Sequence, residues 1–450
     1  MFFLSGPTNG LIWRTSREIK AESLSEGTLW SIDDPLIVRW EPLQPPVSRY
    51  GPMLWISDAA ANWHALASNY LALIQDKLEV DPAIQELARQ LIGEAKRDND
   101  KVAILANYVQ TNCVYKALEF GRRGRIPNKP ADLLRSKYGD CKDHAVLLQQ
   151  LLEAAGLRAR LALVNHQNEV QAGMPSLDQF NHMIVCLAIQ GNDRFIDCTD
   201  KGSDVGREVP YGLAGREALV LDASEPRLVR IPAYPENASS IEIEKQVRLL
   251  NLTDLNVQQT MTLKGIHGGY LREVLLRMPE ASRRPYVQRQ FGLSEIELAD
   301  FKAEPLDTPG APLRITCAYT LKRQFRRSAD SFGGILPVQF ERSYLGIDPA
   351  DRRETPFEIS IPFSLRSTIH FDVPDGFRAE ALTNLRPRFD PRFAKCESRS
   401  QIEGKRLNLE FQFFEPVGFF KPSDYPAYRE SMTQALSLLQ REVVFKNVEL

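Results

Sequence analysis

Between Leu11 and Ile56 the apolar positions come in short runs broken by Pro35, Pro42, Pro45, Pro46 and Pro52, a pattern that suits edge strands and extended segments. From Ala60 the period lengthens: Trp63, Leu66, Tyr70, Leu73 and Ile74 fall on one side of a helix. A second helix opens at Asp81, with Pro82 in the first helical position, and a third spans about Asp100 to Cys113. Pro130 starts a short helix through Leu134. The best-marked element is Gly139-Asp-Cys-Lys-Asp-His-Ala-Val-Leu-Leu-Gln-Gln-Leu-Leu-Glu-Ala-Ala-Gly156, with a capping Asp140 and a glycine suited to the left-handed position past the end.

Beyond it, Arg158 to Val164 and His182 to Ile189 read as strands, and Gln190-Gly-Asn-Asp193 turns the chain into a third, Arg194 to Thr199. Helices followed by antiparallel strands predict an α+β core. Pro and Ser residues from Ser224 to Ser240 mark a linker. Strand patterns then recur at Ile241 to Leu250, Val257 to Leu263, Leu313 to Leu321, Phe357 to Phe363, Thr368 to Val373 and Leu407 to Phe414, with helices near Tyr270 to Leu276, Arg283 to Phe291 and Tyr425 to Gln440. The expected organisation is a short N-terminal β segment (1–59), an α+β core (60–235) and a β-sandwich-like C-terminal domain (236–450) with a terminal helix.

A chain of 450 residues exceeds one ordinary hydrophobic core, in keeping with two or three domains. Its 43% hydrophobic and 25% charged residues are those of a globular protein. With 56 basic and 58 acidic side chains the formal charge is −2, which offers nucleic acid no attractive field. The local clusters Arg122, Arg123, Arg125 and Arg323, Arg326, Arg327 read as solvated faces. Six cysteines without a CxxC pair indicate neither a disulfide framework nor a zinc module. No apolar run reaches the roughly 18 residues of a membrane span. The opening Met-Phe-Phe-Leu-Ser-Gly lacks the basic start of a secretory signal, so the expectation is a cytoplasmic protein, or a periplasmic one if an upstream segment is missing. Oligomeric state cannot be read from the sequence.

Cys141 would be the first residue of its helix, on the stripe that continues through Ala145, Leu148 and Leu152. A helix N-terminus favours a thiolate and offers N–H donors to an oxyanion. The neighbouring Asp140 opposes the thiolate, so a cationic partner is needed, and His182 fits that role as base. Asp197, at the same strand parity, fits the residue that orients the base. A tight turn centred on Gly191 and Asn192 would, however, set Asp197 opposite Cys186, four residues or ~13 Å along the strand from His182. A bulge, a wider loop or twist would have to close that gap.

Each assignment has a plainer counterpart. Cys141 could be a small buried residue at a capped helix, His182 a strand-end histidine bonded to backbone, and Asp197 a strand-edge carboxylate. His144 raises a zinc reading with Cys141 and His182, although it lacks a second ligand on its own helix and is expected at the helix's solvent edge. Lys142 and Asp143 are expected to be exposed or paired locally, with Asn181 making strand-edge bonds. In the C-terminal domain His267 and His370 stand alone and suggest no chemistry.

The segments Lys137-Tyr-Gly-Asp-Cys-Lys-Asp143, Phe180-Asn-His-Met-Ile184 and Phe195-Ile-Asp-Cys-Thr199 resemble the transglutaminase-like, papain-like cysteine core of bacterial proteins that carry an uncharacterised β domain before it. Pro130-Ala-Asp-Leu-Leu134 and Gly215-Arg-Glu-Ala-Leu-Val220 extend the resemblance over about Ala60 to Pro232, while Leu36 to Ser57 resembles only the end of the usual β domain. The resemblance implies Cys141, His182 and Asp197 as a triad, with no metal or cofactor. It implies chemistry on the amide carbonyls of a protein or peptide: hydrolysis, deamidation or amine transfer. An inactive member that binds a protein or glycan is the alternative.

Overall fold

The computed structural model describes residues 1–16, 19–33, 39–79, 81–117, 124–293, 296–336, 352–380, 382, 390–439 and 442–448. Pro35, Leu36, Arg122 and Arg123 lie outside the described residues. Contacts divide the chain into two units, residues 1–39 with 45–233 and residues 40–44 with 234–450.

The first unit opens with β1 (Phe2–Ser5), β2 (Leu11–Thr15), β3 (Lys20–Leu24), β4 (Gly27–Ser31) and β5 (Leu54–Asp58), which form a sheet of order β1-β4-β3 and a separate β2-β5 pair. Helices follow: α1 (Trp63–Leu73), the single-turn α2 (Gln75–Leu78), α3 (Pro82–Ile92), α4 (Asp98–Asn112), α5 (Pro130–Ser136) and α6 (Cys141–Ala154). Asp81 starts α3 as expected, accepting the N–H of Ala83, and Asn62 caps α1 through the N–H of Ala65. The two-residue β6 (Val114–Tyr115) and β7 (Tyr138–Gly139) pair in parallel just before α6.

Five strands complete the unit, β8 (Ala159–Val164), β9 (His182–Ile189), β10 (Asn192–Ile196), β11 (Glu217–Val220) and β12 (Arg227–Arg230), in the order β10-β9-β8-β11-β12. All four pairings are antiparallel. Alternation along β9 sends Met183, Val185, Leu187 and Ile189 into the core shared with the helices, and Ile184 and Cys186 into a second cluster with Ala162, Val164, Phe195 and Ala218. Both faces of β9 are therefore covered.

The sequence stripe on α6 understates its burial. Every residue from Cys141 to Leu148 is buried, as are Gln150, Leu151 and Leu152, because α3, α4 and α5 pack on it opposite β8 and β9. It is a central helix rather than an amphipathic one. Gly156 takes the expected left-handed conformation after its end, at φ 79°.

The second unit runs β13 (Ser239–Leu249), β14 (Leu255–Lys264), α7 (Gly265–Arg277), α8 (Glu280–Gln290), β15 (Leu298–Glu304), β16 (Leu313–Leu321), β17 (Arg326–Arg327), β18 (Ser331–Ile335), β19 (Phe357–Ile359), β20 (Phe363–Asp372), β21 (Phe377–Ala379), β22 (Lys395–Glu403), β23 (Arg406–Glu415), β24 (Gly418–Phe420), α9 (Tyr425–Leu439) and β25 (Glu442–Asn447). Seven of these strands form a sheet of order β15-β16-β14-β13-β20-β23-β22, antiparallel except where β13 meets β20. A four-stranded sheet, β17-β18-β25-β21, shares its core through the rings of Phe332, Phe371 and Phe445. The region is sheet-rich, and the fold class is α+β. Each of its two histidines has a hydrogen-bond partner: Nδ1 of His267 bonds the hydroxyl of Ser239, and Nδ1 of His370 lies 2.7 Å from Oδ1 of Asn408.

Candidate active site

Helix α6 begins where it does because Asp140 closes a capping box. Its Oδ1 accepts the N–H groups of Lys142 at 3.0 Å and Asp143 at 3.4 Å, while Oδ2 of Asp143 accepts the N–H of Asp140 at 3.1 Å. Asp143 also takes the N–H of Asn128 at 2.7 Å, tying the loop before α5 to the same helix start. Gly139 leaves room for this, since a Cβ there would lie 2.6 Å from Oδ2 of Asp143. The result is a first turn fixed on both sides of Cys141.

Lys142 and Asp143 are paired locally with Asp140, one of the two expectations, and both are buried. The Lys142 ammonium lies 2.9 Å from Oδ2 of Asp140, with both side chains about 95% shielded (6% and 5% exposed). This pair meets the objection that Asp140 opposes a thiolate: its charge is already answered by Lys142. His144 is also buried, at 1% exposure, not at the solvent edge. Its Nδ1 bonds the Asp140 carbonyl at 2.8 Å and its Nε2 lies 3.4 Å from the Cys113 carbonyl. Among the described residues the ligand-capable atoms that gather around His182 are those of His166 and Asp197, and His144 is not with them. Burial holds this imidazole below its usual pKa.

The hairpin that brings Asp197 to His182 turns one residue earlier than the sequence suggested. Gln190 and Gly191 both have positive φ, 52° and 82°, the two-residue turn whose twist suits a hairpin. Phe195 therefore faces Cys186 and Ile196 faces Val185. Continuing that register sets Asp197 opposite Ile184, two residues from His182 and on the same face. Diagonal neighbours of this kind are within reach of long side chains. No bulge is needed: Nε2 of His182 lies 2.8 Å from Oδ2 of Asp197.

Oδ1 of Asp197 is held in turn by Thr199, through its N–H at 2.9 Å and its hydroxyl at 2.7 Å. The Asp-Cys-Thr spacing is that of a local side-chain turn, a signal present in the sequence and not used there. Burial opposes charge on His182, but Asp197 beside it, with its hydrogen bond, and contact with the Cys141 thiol outweigh it and push the imidazole well above its usual pKa. Burial opposes charge on Asp197 too, and the His182 ring and Thr199 donors hold that carboxyl well below the carboxylate range.

Cys141 and His182 line one cavity of about 280 Å³. Leu163, Leu177, Phe180 and Met183 give it an apolar wall, and Arg125 and Asp178, paired with each other, a charged one. Asn181 makes the expected edge contact, its Oδ1 accepting the N–H of His166 at 3.1 Å.

His166 escaped the sequence reading, because it lies beyond the end of β8 and only the pairing of Val164 with His182 brings it near. Its exposed ring lies 4.5 Å from that of His182, centroid to centroid, tilted by 50°. Desolvation on its packed side and the His182 charge hold it below the usual histidine value. One ligand-capable atom from each of His166, His182 and Asp197 falls within 4.8 Å of the others.

All six cysteines are free thiols, and no helix among the described residues is long and apolar enough to cross a membrane.

Residues 85–193 match the model of the transglutaminase-like superfamily, and residues 333–445 match that of a domain of unknown function with a solved structure (DUF3858). The crystal structure of a "putative protease" from Parabacteroides distasonis superposes over 98% of this chain and 70% of its own, with TM-score 0.63 at 14% identity. A "putative cysteine protease" from Cytophaga hutchinsonii aligns over 42% of this chain and 64% of its own at 16% identity, with a TM-score of 0.22. No curated protein matches the chain. Residues 85–193 thus carry a transglutaminase-like domain, and the first of these structures shares the fold of the chain.

Proposed function

We propose that the chain is a cysteine-dependent acyl-transfer enzyme acting on amide bonds of proteins or peptides, with Cys141 as nucleophile, His182 as base and acid, and Asp197 as the residue that orients His182. The observation that carries this reading is the 2.8 Å bond from His182 to Asp197, which fixes the ring beside a cavity that Cys141 and His182 both line.

The sulfur of Cys141 attacks the amide carbonyl carbon, and its proton resides on His182. The capping box occupies the N–H groups of Lys142 and Asp143, and that of His144 goes to the Asp140 carbonyl at 3.1 Å, which leaves the N–H of Cys141 for the oxyanion. Collapse of the intermediate breaks the C–N bond as His182 protonates the departing amine. Water or an amine, deprotonated by His182, then cleaves the thioester and restores the thiol. The working division of the chain is a β segment (1–59), this catalytic core (60–235) and a β-rich C-terminal domain (236–450).

A glutamine peptide with hydroxylamine as acceptor tests the reading by mass spectrometry. The wild type should form an acyl adduct on Cys141 and a hydroxamate, carboxylate or cleaved product, and Cys141→Ala should form none. Equal turnover by Cys141→Ala would overturn it.

A further inference from the structure

Past the end of β8 the chain continues through Asn165 to His166, and this turn is tied to the segment entering β9. The N–H of His166 donates to Oδ1 of Asn181 at 3.1 Å, and Nδ2 of Asn165 donates to the Gln179 carbonyl at 2.5 Å. Oδ1 of Asn165 accepts the N–H groups of Gln167 and Asn168, each at 2.8 Å. The backbone carrying His166 is thus positioned against the backbone carrying His182. On the other side, Thr199 occupies Oδ1 of Asp197 and leaves Oδ2 aimed at Nε2 of His182.

We propose that His166, His182 and Asp197 form an inhibitory site for a divalent transition-metal ion of the zinc type. Two imidazoles and one carboxylate, with a fourth position left to water, is a donor set that zinc takes readily. The bonds from Thr199 are the outer contacts that orient a ligating carboxylate. Ligand atoms around tetrahedral zinc stand roughly 3.4 Å apart, so a group already within 4.8 Å closes by movement of the exposed His166 ring. That exposure also provides the entry path from solvent.

An ion here takes the Nε2 lone pair of His182 and Oδ2 of Asp197, which otherwise bond each other; the proton displaced from Nε2 is kept on the other ring nitrogen, and Cys141 stays a thiol. His182 then can no longer collect the thiol proton. The inhibitory consequence rests on the acyl-transfer reading, whereas binding does not, because Cys141 is not one of the three ligands.

The test uses the full chain carrying Cys141→Ser, dialysed to equilibrium against Zn2+, with and without His166→Asn. One ion per chain is expected, held at least about tenfold more weakly when His166 is replaced. Co2+ is the second probe: the visible absorption of a four-coordinate ion should appear with His166 present and vanish in His166→Asn. Equal Zn2+ binding in the two proteins, or none in either, overturns the proposal. In wild type, Zn2+ should slow iodoacetamide labelling of Cys141 about tenfold or more relative to the metal-free rate, reversibly with a chelator, and His166→Asn should lose that slowing. The same slowing in both overturns the inhibitory role. An unreactive Cys141 would instead sink the acyl-transfer reading, while dialysis would still report the metal site.

Discussion

Replacing Lys142 by methionine isolates the role of its buried pair with Asp140. At 2.9 Å, and with an effective dielectric constant near 20, the attraction is about 6 kcal/mol, most of it offset by desolvation of both groups. Methionine fills similar space but leaves the Asp140 carboxylate buried without its cation, a change that costs about 3–5 kcal/mol in such pairs. The two backbone N–H groups that stay on Oδ1 of Asp140 argue for the lower end, about 3 kcal/mol. Hydrogen exchange of the α6 amides reads this locally: a loss of 3 kcal/mol accelerates exchange roughly 150-fold. Adding Asp140→Asn should recover part of the loss, with a coupling of about 1–3 kcal/mol. Labelling of Cys141 should also slow in Lys142→Met, since the uncompensated carboxylate adjoins the thiol. Exchange within about threefold of wild type, or strict additivity in the double variant, would refute the account of the pair.

Asp197→Asn keeps an acceptor for Thr199 but removes the charge that orients and stabilises the His182 cation, and turnover should fall by about 100-fold or more with little change in KM. Gly139→Ala forces a methyl to within 2.6 Å of Oδ2 of Asp143 and should cost about 1–2 kcal/mol, seen as faster exchange in the first turn of α6. In the second unit, burial pushes Glu415 up to about 8 against its hydrogen bond from Tyr428. Its folded pKa exceeds the unfolded one, so the stability it contributes is present below about pH 4.5 and is lost as pH rises through 8. Glu415→Gln should therefore flatten a loss on the order of 2–4 kcal/mol between pH 5 and pH 8 in urea titrations, and an unchanged slope would contradict the assignment.

The helical half was legible because its signals are local. Asp81 and Asp140 cap the helices they precede, and Gly156 ends α6 in the left-handed conformation that only a residue without Cβ adopts freely. Strands β9 and β16 fall at His182–Ile189 and Leu313–Leu321, as their apolar runs predict. β15, β18, β22 and β25 escaped, since partly exposed residues and glycines such as Gly333 and Gly334 blur the alternation.

At the site, residue types pointed to thiol, imidazole and carboxylate, but their meeting depends on a hairpin register that one residue decides. The sequence placed the turn at Gly191 and Asn192, whereas positive φ at both Gln190 and Gly191 moves every pair along β9 and β10. Burial of Lys142 and His144 was invisible for a different reason. Their helix is enclosed from all sides by segments remote in sequence, so the polar positions of its pattern do not mark a solvent face.

The central claim is that one thiol among six is activated. Burial raises Cys186 to about 12 and Cys317 to about 11, does the same for Cys396 at about 12, and raises Cys113 and Cys198 as well. Iodoacetamide labelling of the native chain near pH 6, resolved by peptide mass spectrometry, compares them directly. Cys141 should react at least about tenfold faster than any of the other five, and lose that advantage in His182→Ala. Labelling of Cys141 no faster than its neighbours would contradict an activated thiol and, with it, the acyl-transfer function.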